Sequence, residues 1–107
     1  MPHDPKLAER MRHALSRRTG IVEKKMFGGY CWMLNGNMLC GVEVGRFMFR
    51  VGKELEAQAL AQGATRMDIT GKPMRGFVWV AEPLARGAGL DGWIDLAAGY
   101  VESLPAK

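Results

Sequence analysis

The sequence predicts an α+β domain: a two-layer arrangement of an antiparallel sheet with helices packed on it, in the order α-β-β-β(-β)-α-β(-β)-α. Three observations carry this reading. Helical periodicity brackets the chain, at 4–18 and 90–104. Between these lie short apolar runs joined by Asn-Gly and Gly turns, the signature of hairpins rather than crossovers. A stretch of good helix formers, 53–61, splits the strands into two groups. Strands joined by tight turns pair antiparallel, and their apolar face is buried under helices. With 107 residues the chain is one domain, 1–107, large enough to bury a core without disulfides or metals.

In the first helix, DPKLAERMRHALSRR, Asp4 suits the cap and Pro5 the first turn. Leu7, Met11, Ala14 and Leu15 form its apolar stripe, Arg10, His13 and Arg17 lie opposite, and Gly20 ends it. Residues 21–27 read as a strand, and 30–34 and 38–44 as a hairpin about Asn35-Gly36. Residues 46–51 alternate, with Phe47, Phe49 and Val51 on the core side and Arg46, Met48 and Arg50 on the other. After the 53–61 helix, Gly63 closes the turn, 64–73 reads as a loop and 74–80 as a strand. A connection over 82–89 then leads to a helix whose stripe includes Leu90, Trp93, Ile94, Ala97 and Val101.

Charge is unevenly placed. Residues 1–25 hold seven Lys/Arg against three acids, and 26–107 hold eight of each, so the net +4 resides in the first quarter. That asymmetry makes Arg10, Arg12, Arg17, Arg18, Lys24 and Lys25 candidate contacts for an acidic partner or nucleic acid, alongside a plain solvated-helix reading. Arg46 and Arg50, alternating with phenylalanines, extend the list as a possible base-stacking strand. Core phenylalanines with solvent-facing arginines are the simpler account.

Chemical motifs fare poorly. Gly71-Lys72 lacks the earlier glycine and the following Ser/Thr of a phosphate loop. His3 and His13 have no ligand partner at helical spacing, two cysteines make no structural zinc site, and Glu54 and Glu56 read as a solvated helix face. No catalytic residue, metal or cofactor is assigned. Two-residue turn geometry at Asn35-Gly36 sets Cys31 opposite Cys40, Cα atoms ~4.5 Å apart. That is at the lower edge of disulfide geometry, roughly 4.4 Å. The pair is a candidate redox couple, with two small buried apolar side chains as the alternative. A three-residue loop instead sets Cys31 against Gly41 and Cys40 against Trp32. Gly28, Gly29 and Gly41 mark bends or close approach, and Gly41 leaves room for a side chain from the first or last helix to pack over it. The methionines fill core gaps or line an adaptable contact surface.

Lys25-Met26-Phe27-Gly28-Gly29, the Asn35-Gly36-Asn37-Met38 hairpin, Gly71-Lys72-Pro73-Met74-Arg75-Gly76-Phe77 and the closing helix with Trp93 through Ser103-Leu104-Pro105 resemble the TfoX/Sxy N-terminal-domain family over roughly residues 10–107. The resemblance implies a secretion-chaperone-like α+β fold. It also implies a link to bacterial regulation, since full-length members promote competence together with the cyclic-AMP receptor protein. Those regulators carry a second, helical domain, so the expectation is a stand-alone N-terminal domain. It gives shape-setting roles to Met26, Phe27, Gly28, Gly29, Gly71, Pro73 and Gly76 and no catalytic residue.

The expected function is a non-enzymatic regulatory or protein-interaction domain in the cytosol. Its expected partner is a protein, transcription machinery included, and a homodimer fits too. No membrane segment is expected. Direct nucleic-acid binding through the basic helix and a thiol sensor at Cys31 and Cys40 are the rival readings.

Overall fold

The computed structural model describes residues 5–26, 29–69 and 71–107. The elements are α1 (Pro5–Leu15), β1 (Ile21–Met26), β2 (Gly29–Leu34), β3 (Asn37–Glu43), β4 (Arg46–Arg50), α2 (Glu56–Ala61), β5 (Thr65–Ile69), β6 (Lys72–Ala81) and α3 (Ala88–Val101), with a 3-10 turn at Glu82–Leu84. The six strands form one antiparallel sheet in the order β1-β2-β3-β4-β6-β5. This is the expected α+β architecture. Asp4, Phe27, Gly28 and Thr70 lie outside the described residues.

The helices share one side of the sheet. Alternation aims Trp32, Phe47, Phe49, Val78 and Val80 at them, all at most 2% exposed. Phe49 stacks on Trp93 of α3 with ring centroids 6.0 Å apart. Met11 of α1 reaches the same core, its sulfur 3.7 Å from the Cys40 thiol. α1 stops short of the expected 18 because Ser16 bonds back to the His13 carbonyl through both its amide and its hydroxyl, and the Arg18 amide turns to Leu15.

Three sequence expectations are corrected. First, 65–69 is a strand rather than a loop. Thr65 and Met67 alternate with Arg66 along it, and pairing with β6 from Thr65↔Trp79 to Ile69↔Lys72 supplies its hydrogen bonds. Second, Cys31 does not face Cys40. Asn35 (φ 53°) and Gly36 (φ 85°) form the expected two-residue turn, with Leu34↔Asn37 and Met33↔Met38. Leu39 is then an extra residue in β3, a β-bulge that shifts the register to Trp32↔Cys40 and Cys31↔Gly41. The bulge turns both Leu39 and Cys40 toward the helix-side core, where each is 0% exposed. Third, the side chains nearest Gly41 among the described residues come from strands and not from a helix. A side chain there would meet the Cys31 sulfur at 3.2 Å and the Met48 methyl at 3.3 Å, both from neighbouring strands.

The hairpin tip is strapped by the chain's end. The Lys107 amide donates to the Asn35 carbonyl at 2.8 Å, and the buried Asn37 amide group donates to the Pro105 carbonyl at 2.9 Å. The Asn35 amide in turn donates to the Gly20 carbonyl at 3.0 Å.

Candidate functional site

Strand alternation builds a second apolar cluster on the side without helices. Cys31 of β2, Met48 of β4 and Met67 of β5 are its buried members, and Met38, Met74, Phe77 and Trp79 pack half-buried against them. Every contributor is a strand residue. The cluster lines a groove of about 450 Å³. Small Gly41 makes its floor, as the Cys31 and Met48 distances show.

Arginines stand over the rings of this face. The Arg46 guanidinium lies 3.7 Å from the Trp79 ring centroid and is tethered by Glu43 at 2.7 Å. Arg50 lies 5.3 Å from the Phe77 ring and 5.7 Å from Tyr100. Such cation–π contacts cover the apolar rings while keeping charge in water. The expectation that Arg46, Met48 and Arg50 share a side is met, although Met48 is buried among other sulfurs rather than exposed.

The basic first quarter is arranged differently. Arg10 donates to Glu82 at 2.9 Å and to the Ala85 carbonyl. Arg12 holds Glu23 at 2.7 Å and Glu9 at 3.3 Å, and Arg18 holds Asp95 and, at 3.7 Å, Glu102. Acids from distant parts of the chain thus pair with Arg10 and Arg18, and nearer ones with Arg12. Glu82, gripped by Arg86 and by Arg10, has its carboxyl held down at about 2. Arg17, Lys24 and Lys25 are exposed, and the Lys25 ammonium sits 5.8 Å from the Tyr30 ring.

The two cysteines are free and buried in different clusters, Cys40 in the helix-side core and Cys31 in the opposite one. Burial pushes both thiols up from their ordinary range, away from reactive thiolate. Among the described residues no three His, Cys, Asp or Glu side chains gather as metal ligands would, and no helix is long and apolar enough to cross a membrane.

One constellation escaped the sequence reading. Glu56 is 4% exposed rather than solvated. Its carboxylate accepts from the Gly76 amide at 3.0 Å, Arg75 at 2.9 Å and Arg66 at 3.0 Å. These donors, the Gly76 amide first, keep its carboxyl below the usual range against the cost of burial. Gly76, at φ 87°, bulges β6 so that its carbonyl also receives the Val51 and Gly52 amides at 2.8 and 3.0 Å. A side chain at Gly76 would meet the Gly52 backbone at 3.0 Å, which accounts for glycine in Met74-Arg75-Gly76-Phe77. The sequence signal for this was a glutamate at the start of a helix, EAQALA, whose other residues carry no charge. A cleft of about 840 Å³ opens beside this junction, lined by Arg50, Gly52, Arg75, Tyr100 and Ser103 among others. Its arginines already face a carboxylate or a ring. Gly71 (φ 78°) turns β5 into β6, Pro73 pairs with Asp68, and Gly29 pairs with Met26.

A family model described as the TfoX N-terminal domain matches residues 13–100. Neither the curated proteins nor the solved structures gave a match. The matched span runs from α1 to the last turns of α3 and takes in the whole sheet. The chain belongs to the TfoX N-terminal domain family.

Proposed function

We infer that this is a regulatory protein-interaction domain with no reaction of its own, and that a partner docks on the helix-free face of the sheet. The observation that carries the reading is the sulfur-rich apolar cluster contributed by five strands, over which none of the described helices packs. Contiguous apolar surface on a folded domain marks a contact site, and methionine suits a surface that must repack against a partner. The family supports a regulatory setting, with competence and transcription as the processes its resemblance implies. Two buried free thiols support a cytosolic setting.

The test is comparative capture from a bacterial cytosol using the full chain, Met38→Glu/Met74→Glu on the open face, and Arg17→Glu in the basic turn that follows α1. Circular dichroism and thermal melts establish that all three are folded. Loss of the captured protein with the face variant alone supports the reading. Loss with Arg17→Glu alone moves docking to the basic helix and overturns it.

A further inference from the structure

Two features of the open face together select its occupant: its floor is apolar and its margin is cationic. Lys24 lies directly across from Cys31 in the β1–β2 register, which places it on this face, and it is exposed. Arg46 and Arg50 stand over Trp79 and Phe77. Among the described residues of these strands, the carboxylate on this side is Glu43, already bonded to Arg46. The face therefore carries an excess of positive charge around a methionine floor.

We propose that the occupant is a protein segment that is acidic and apolar together, its apolar side chains entering the groove over Met48 and Met67 and its carboxylates meeting Lys24, Arg46 and Arg50. The proposal rests on the docking reading above and adds the chemistry of the partner. A second copy of this chain fits less well. Pairing the face with itself sets one cationic margin against another, and like charges at an interface oppose association. Nucleic acid would answer the charge but not the floor. An acidic peptide draws the arginines toward its carboxylates and uses the rings and sulfurs they uncover.

The experiment uses the full chain with its methionine methyl groups labelled and three designed peptides. The peptides share the same Leu and Phe positions and carry Glu, Gln or Lys elsewhere. Met48 and Met67 report the face, and Met11, buried in the helix-side core, is the internal control. The Glu peptide is expected to shift the Met48 and Met67 methyls and leave Met11 unmoved. It should bind about fivefold more tightly than the Gln peptide at low salt, with the advantage fading as salt screens it. Arg46→Gln/Arg50→Gln should bring the Glu peptide to the affinity of the Gln peptide. If Glu and Gln peptides bind alike, the acidic preference is overturned and docking stands. If no peptide moves Met48 or Met67, the docking reading falls with it. A duplex DNA that shifts those methyls more tightly than the Glu peptide, or a dimer in sedimentation that Met38→Glu/Met74→Glu dissolves, replaces the proposed occupant and overturns the proposal.

Discussion

The two faces of the sheet are cut from the same strands but made of different materials. Toward the helices point Trp32, Phe47, Phe49, Val78 and Val80, stiff or flat side chains that interlock with Trp93 and Ile94. Away from them point Met38, Met48, Met67, Met74 and Cys31, flexible and polarisable, with arginines over the neighbouring rings. Stiff side chains lose little entropy on packing and specify one arrangement, which suits a permanent core. Thioethers accept many arrangements at similar energy, which suits a surface that is covered only part of the time. Adjacent residues of β4 place the contrast one peptide apart: Phe49 in one material, Met48 in the other.

The sharpest way to break this contrast is to truncate those neighbours. Phe49→Ala should cost about 3–5 kcal/mol in urea unfolding, because it empties a site stacked on Trp93. Met48→Ala should cost about 1–2 kcal/mol, since flexible sulfurs and solvent at the groove partly fill the space. Equal costs would mean that the open face is a second permanent core and the contrast is false.

Next in size is the junction where β6 meets α2. Glu56→Gln should destabilise by about 1–3 kcal/mol, because it replaces a buried carboxylate that three donors address. The pH dependence has a definite sign. The folded state holds the Glu56 and Glu82 carboxyls below their ordinary value of 4.5, so the unfolded chain binds protons more readily. Their contribution is complete above that ordinary value and is lost as pH falls through the folded values, which for Glu82 is about 2. Denaturant melts below pH 4.5 should therefore show a steeper acid loss in the wild type than in Glu56→Gln. Parallel acid limbs would show that Glu56 does not carry this proton linkage.

The cysteines sharpen the comparison kinetically. Cys31, on the open face, should alkylate about tenfold or more faster than Cys40, which is released only by opening the core. Intact mass after mild oxidation should show no intramolecular disulfide, because the register sets Cys31 against Gly41. A disulfide formed without loss of structure would restore the thiol-sensor reading.

The smallest effects belong to α1 and the turn that follows it. Arg10→Ala should cost about 1 kcal/mol through Glu82 and the Ala85 carbonyl. Arg17→Glu should stay within about 0.5 kcal/mol in thermal melts. Equal costs would mean that the long-range pairing of the basic helix contributes nothing measurable.

Local chemistry made much of the fold legible. Asn35-Gly36 announced its turn because only residues tolerant of positive φ close a two-residue hairpin. Alternation in RFMFR announced which side of β4 is core, since the pleat has a period of two. The Leu90, Trp93, Ile94, Ala97 and Val101 stripe announced α3. The cations proposed for the site were legible as residue types, but their partners were not. Glu82, which holds Arg10, and Asp95 and Glu102, which hold Arg18, are each more than seventy residues from that arginine.

The sequence by itself determined the α+β class, the turn at Asn35-Gly36, the helix at each end and the family, because each rests on neighbours in the chain. Tertiary structure alone decided the Leu39 bulge that parts Cys31 from Cys40, the strand at 65–69, the burial of Glu56 and the gathering of sulfurs on one open face. Each depends on which strand lies alongside, and pairing energy is shared between segments whose separation along the chain leaves no local trace.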